Sequence, residues 1–172
     1  MKDERNVIDY FKYWEVDAIR AQLDKNRHNF SVLVSNEFND FNLGSVIRNA
    51  NAFLAKEVII FGRRKFDKRG TVGTHIYENL KYVKEMEKLD FSDCVVVGID
   101  NIENAVPIET FTWPDKHVIM AFGQEQIGLS KKIKDICNIF LYIKQYGSVR
   151  SLNVGCASAI AMYDYCSKMI VK

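Results

Sequence analysis

The chain has 172 residues, 48% of them hydrophobic and 27% charged. That is the composition of one globular domain with a sizeable core, read as a single domain over residues 1–172. A net charge of +2 gives no strong overall field, so a basic surface has to be a local patch.

The N-terminal stretch is charged throughout, with no apolar core of signal-peptide type. No uncharged run reaches the length of a membrane span, and the reading is a cytoplasmic protein. Residues 5–25 are expected to form a helix, with Val7, Phe11, Trp14, Ile19 and Leu23 on one face. The first 28 residues thus form a helical extension ahead of a core over 30–168.

Short, continuous, β-branched runs follow at 30–35, 57–62, 94–100, 117–123 and 139–144. Such runs fit strands covered on both faces. Helical patterns lie between or after them at 42–54, 77–89, 128–137 and 151–168. This alternation predicts an α/β fold with a mainly parallel sheet covered by helices. Ligands of such sheets bind beyond the carboxyl ends of the strands, which directs attention to the loops there.

Three of those loops are polar. The first, 39–53, carries Asn42, Gly44 and Arg48. Asn42 suits a helix cap. Arg48 lies among apolar residues as a solvated cation or a substrate clamp, and spacing alone favours the solvated position. The second, 121–130, carries Gly123, Glu125, Gly128 and Ser130. Gly123 allows close backbone approach to a ligand. The run contains neither GxxxxGK nor GxGxxG, which argues against a nucleotide-dependent oxidoreductase. The third, 143–153, leads into a helix through Ser151, Leu152 and Asn153. Backbone N–H groups at such a helix start make a polar pocket. The small residues Gly155, Ala157, Ser158 and Ala161 would let the helix flank lie close against another protein surface.

Cys94, Cys137, Cys156 and Cys166 form no CxxC pair, sit in or beside apolar runs, and read as reduced core cysteines. His28, His75 and His117 are isolated, so no metal site is expected. The stretch 62–75 gathers Arg63, Arg64, Lys65, Lys68 and Arg69 around Phe66. Alone it reads as a solvated loop, although it offers phosphate contacts and an aromatic for stacking; in a protein that acts on RNA it would be an RNA contact. Arg5, Lys12, Arg20, Lys25 and Arg27 in the N-terminal stretch form a weaker candidate.

Taken together, the three loops resemble the motifs of the SpoU (TrmH-type) RNA ribose methyltransferases of the SPOUT superfamily. The first motif stands as Asn42, Gly44 and Arg48, and the second as Gly123, Glu125, Gly128, Leu129 and Ser130. The third stands as Ser151, Leu152, Asn153, Val154, Ala157, Tyr163 and Asp164. Lys144 follows Ile143 where the family often has proline, and Asp164 replaces the usual glutamate.

The resemblance implies a C-terminal deep trefoil knot, S-adenosyl-L-methionine as cofactor, and a homodimer built around the third-motif helix. It implies Gly123, Gly128, Ile143, Ser151 and Leu152 at the cofactor. Arg48, Asn42, Glu125, Ser151 and Asn153 would serve catalysis, with Asn42 positioning Arg48. A guanidinium is a poor base, so Arg48 is better suited to binding a phosphate and stabilising a developing alkoxide. The implied reaction is methylation of a ribose 2′-hydroxyl, with transfer RNA as substrate and the D-loop guanosine as target. A wobble-position or ribosomal RNA target, or a silent RNA-binding scaffold, are the alternatives.

Overall fold

The computed structural model describes residues 3–37, 42–125 and 127–171. Residues 39–41, the start of the first polar loop, lie outside them. The described residues build a seven-stranded sheet from β1 (Phe30–Asn36), β2 (Val58–Gly62), β3 (Leu80–Val83), β4 (Cys94–Ile99), β5 (Val106–Pro107), β6 (His117–Phe122) and β7 (Ile139–Tyr142). Their order is β3-β2-β1-β6-β4-β7-β5, and each neighbouring pair runs parallel. The α/β reading of the sequence therefore holds, and parallel pairing sends every strand's carboxyl end to one edge.

The helices are α1 (Val16–Asp24), α2 (Asn42–Ala52), α3 (Lys131–Lys134) and α4 (Val154–Met169). One face of the sheet buries Val32, Val34, Ile60, Val97 and Met120 with Val46, Ile47, Ala161 and Met162 of α2 and α4. The other face buries Leu33, Ile59, Val96 and Ile119 with Leu129 and Ile133. Every residue of β1 is buried, which is why its sequence shows no alternation.

Three expectations fail. The expected helix at 77–89 is replaced by strand β3, followed by a single 3-10 turn at Met86–Lys88. Its apolar spacing fits a helix, but β2 needs a partner on its outer side, and Val58 pairs with Leu80. Pairing an open edge outweighs local periodicity. The expected helix at 5–25 survives only as a 3-10 turn at Asp9–Phe11 and α1. Between them Tyr13 takes φ of 65°, and its N–H donates to the Asp3 carboxylate at 2.7 Å. The same carboxylate grips Arg5 at 2.6 Å, so a local ion pair folds this segment back on itself. The helix expected at 128–137 is a single turn, α3.

The small residues of α4 also have a different partner from the one expected. Gly155, Ser158 and Ala161 lie on its buried face, and the helix packs against α2 of the same chain. A Cβ on Gly155 would come within 2.8 Å of Ser45 Cβ. Asn49 on α2 donates to Gly155 O at 2.7 Å and to Ser158 Oγ at 2.9 Å. The outward face carries Cys156, Ile160 and Tyr163 instead.

Candidate functional site

A cleft of about 340 Å³ opens at the carboxyl edge of β4, β6 and β7. Gly123, Glu125, Gly128, Ile143, Ser151 and Leu152 all line it. Residues of the second and third loops are thus brought to one wall, because each loop leaves the same edge of the sheet.

The second loop is a tight hairpin. Gln124 and Gly128 exchange backbone hydrogen bonds of 3.0 and 2.8 Å. A Cβ on Gly123 would lie 2.2 Å from the Gly128 carbonyl oxygen, so only glycine allows this approach. Gly128 has φ of 65°, with the Asp100 carboxylate where a side chain would begin. Asp100, just past β4, accepts from Leu129 N at 3.1 Å and donates through its own N–H to Leu141 O at 3.0 Å. It thereby ties three walls of the cleft together. The sequence offered no sign of Asp100 beyond its place at a strand end.

A chain of side chains joins the three loops. Asn153 stands at the N-cap of α4, and its Oδ1 accepts from Gly155 N at 2.9 Å and Cys156 N at 3.4 Å. This leaves its Nδ2 to donate, which it does to Asn42 Oδ1 at 2.8 Å. Asn42 Nδ2 in turn donates to Glu125 Oε2 at 2.7 Å. The helix terminus sets the direction of every bond, and the last link requires an acceptor, which a carboxylate supplies.

Arg48 is not part of this chain. It is six positions beyond Asn42 on α2, so the two side chains leave the helix in different directions. Asn42 is buried, whereas Arg48 is exposed and makes no hydrogen bond or ion pair among the described residues. Ser151 is exposed at the mouth of the cleft. Tyr163 is exposed, while Asp164 accepts from Trp113 Nε1 at 2.8 Å and pairs with Lys168 at 2.9 Å. That acidic residue anchors α4 to the chain's own core.

The basic stretch follows β2 and so leaves the same edge of the sheet. Arg63, Arg64, Lys65, Lys68 and Arg69 are all exposed. Phe66 is not, being buried in the core at 7% exposure, and it cannot stack on an external base. Arg64 lies over the Tyr82 ring at 5.0 Å. Arg69 grips Asp67 at 2.6 Å and holds that carboxyl below its usual range. Buried Asn36 fixes the base of the loop by donating to the carbonyls of Arg63 and Lys65 at 2.7 and 3.0 Å.

Two cleft residues, Gln124 and Gln145, each bury an amide atom that has no hydrogen-bond partner among the described residues. Such an orphan costs about 1–3 kcal/mol. Among the described residues no cluster of His, Cys, Asp or Glu could hold a metal, and no helix is long and apolar enough to cross a membrane. Burial pushes the thiols of the half-buried Cys137 and Cys166 up to about 12 and about 11, whereas Cys156 is exposed on the outward face of α4 and is not the core cysteine expected.

Comparison with known proteins gives consistent results. The family model described as the SpoU rRNA Methylase family matches residues 29–163. A putative TrmH family tRNA/rRNA methyltransferase of Staphylococcus haemolyticus is 27% identical over 92% of this chain and 67% of its own length. The Bacillus subtilis protein YacO, named in the same way, is 26% identical over 90% of this chain and 65% of its own. The chain thus spans about two-thirds of these relatives. Among solved structures, the TrmH/SpoU tRNA modifying enzyme of A. aeolicus superposes with a TM-score of 0.76 at 22% identity, covering 89% of this chain and 81% of that one. The SpoU methyltransferase AviRb of Streptomyces viridochromogenes, solved with AdoMet, gives 0.73 at 23% identity over 84% and 59%.

Proposed function

Because the chain belongs to the SpoU rRNA methylase family, we propose that it is an S-adenosylmethionine-dependent RNA methyltransferase acting on a ribose 2′-hydroxyl. The observation that carries this reading is one cleft lined by the second and third polar loops, to which the Asn42–Glu125 bond ties the first. Its volume suits a cofactor, and its wall combines apolar side chains with buried amide atoms in need of partners.

The residues fit the cofactor. Gly123, Gly128, Ile143, Ser151 and Leu152 line the space it would fill, and the hairpin at Gly123 brings backbone rather than side chain to the wall. When bound, S-adenosylmethionine supplies an activated methyl group. The protein's part is to orient the acceptor hydroxyl and ease loss of its proton. The Asn153–Asn42–Glu125 chain gives the mouth of the cleft a fixed carboxylate. Arg48 would bind the phosphate beside the target ribose and stabilise negative charge developing on the 2′-oxygen. The exposed cations after β2 would track the RNA backbone.

We infer transfer RNA as the substrate and the D-loop guanosine as its target, in the cytoplasm. The relatives named for tRNA and rRNA methylation support the RNA class. We further propose that residues 1–172 act as one domain, that the segment after β7 passes through a trefoil knot, and that the chain works as a homodimer. The outward face of α4, with Ile160 and Tyr163 exposed, supplies an apolar surface for a second copy.

The test uses purified protein, tritiated S-adenosylmethionine and total transfer RNA, followed by nucleoside mass spectrometry. A 2′-O-methylnucleoside formed only with the native protein supports the reading. Methylation on a base instead would overturn it. Label that appears only in ribosomal RNA would overturn the substrate.

A further inference from the structure

The orphaned amide atoms of Gln124 and Gln145 have opposite polarity. Gln124 Nε2 is a donor and Gln145 Oε1 an acceptor, both shielded from solvent, and they do not bond to each other. Gln124 is 4% exposed, and its backbone is locked to Gly128 in both directions, so the side chain is rooted in the cleft wall. Gln145 belongs to the loop after β7 and lines the same cleft. A group that offers an acceptor to one and a donor to the other would satisfy both.

We propose that Gln124 and Gln145 select the adenine ring of the cofactor, Gln124 donating to a ring nitrogen and Gln145 accepting from the exocyclic amino group. This rests on the S-adenosylmethionine reading above. Adenine presents an amino donor and a ring-nitrogen acceptor side by side. The methionine end of the cofactor also has a donor and an acceptor, but both are charged. The same wall carries Ile99, Ile102, Phe122 and Val154, which suit a flat neutral ring better than a zwitterion. A base with an oxygen in place of the amino group would set its acceptor against that of Gln145.

Calorimetric titration of the full chain with S-adenosylhomocysteine and S-inosylhomocysteine tests this. The two ligands share the homocysteine end and differ only at the base edge. The native protein should favour the adenosine compound at least about tenfold, as the loss of one good hydrogen bond in a dry site predicts. Gln124→Met and Gln145→Met should each weaken it about tenfold and narrow the preference. Gln124→Glu, which turns the donor into an acceptor, should weaken it further. The methionine variants remove an unpaired buried polar atom, so their melting temperatures should equal or exceed the native value. An unchanged preference in folded variants, or equal native affinity for both ligands, overturns the proposal. A native protein that binds neither ligand overturns the cofactor reading itself, and the proposal with it.

Discussion

Asn42 and Arg48 sit on the same short helix and share little else. Asn42 is buried and bonded on both sides, to Glu125 and Asn153. Arg48 is exposed and makes no hydrogen bond or ion pair among the described residues. The first belongs to a scaffold whose directions are fixed by a helix terminus. The second is a cation whose partner has to come from outside. Under the proposed function, the cofactor side of this site would be built by the fold, while the substrate side would consist of charge available to an incoming polyanion. Arg63, Lys65 and Lys68 after β2 belong to the second kind, whereas Arg64 lies over the Tyr82 ring, Arg69 is held by Asp67, and Asn36 fixes the base of their loop.

Arg48 gives the most demanding test of this division. Arg48→Ala should lower methyl transfer by at least about 100-fold, the scale of one electrostatic stabiliser. Affinity for S-adenosylhomocysteine should stay within about threefold of native, since the guanidinium bonds to none of the described residues. Comparable loss of both would place Arg48 in the scaffold.

Gly123→Ala attacks the scaffold. The added carbon meets the Gly128 carbonyl at 2.2 Å, so the hairpin has to open. Cofactor binding should fall at least about tenfold, with about 1–3 kcal/mol lost from stability in denaturant titration. Asn42→Ala should do less. It leaves Asn153 and Glu125 without their shared partner, costing about 1–2 kcal/mol and lowering turnover and cofactor affinity together. Loss of turnover at native affinity would move Asn42 from the scaffold to the substrate side.

Arg63→Ala combined with Arg64→Ala should weaken RNA binding severalfold and flatten its salt dependence by about one unit of slope for each phosphate no longer neutralised. Cofactor binding should not change. A slope that stays constant would return both arginines to the role of solvated surface.

The smallest expected effect lies far from the cleft. His117 bridges Ser31 and Asn29, each at 3.0 Å, and burial together with Lys56 lowers its pKa below 6.5. As pH falls through 6.5 the unfolded chain takes up this proton first, so stability drops until the folded value is reached. Glu78 works in the other direction, because burial raises its pKa. The comparison of native protein with His117→Gln isolates the histidine. The variant should lose roughly 1–3 °C less in melting temperature between about pH 7 and pH 5.

Local sequence was enough to specify the strands that matter to the site. The central strands β1, β2, β4, β6 and β7 are covered on both faces, and burial of that kind leaves an unbroken apolar run that no neighbour can overrule. It also marked the loops proposed to hold the chemistry, because they gather glycines and amides at the carboxyl ends of the strands. Tertiary structure settled the rest. The segment at 80–83 became a strand because β2 had an open side, and the N-terminal segment broke at Tyr13 because Asp3 offered its N–H a carboxylate. Phe66 went to the core and left its basic neighbours outside. The small face of α4 found α2. Asp100, Asn49, Gln124 and Gln145 carry no local signature, and their roles exist only once distant loops share a wall. A segment's own residues fix what it can bury and how it can turn. The partner that satisfies each polar group is chosen by distant chain, as when Asn42 and Asn153, 111 residues apart, meet at 2.8 Å.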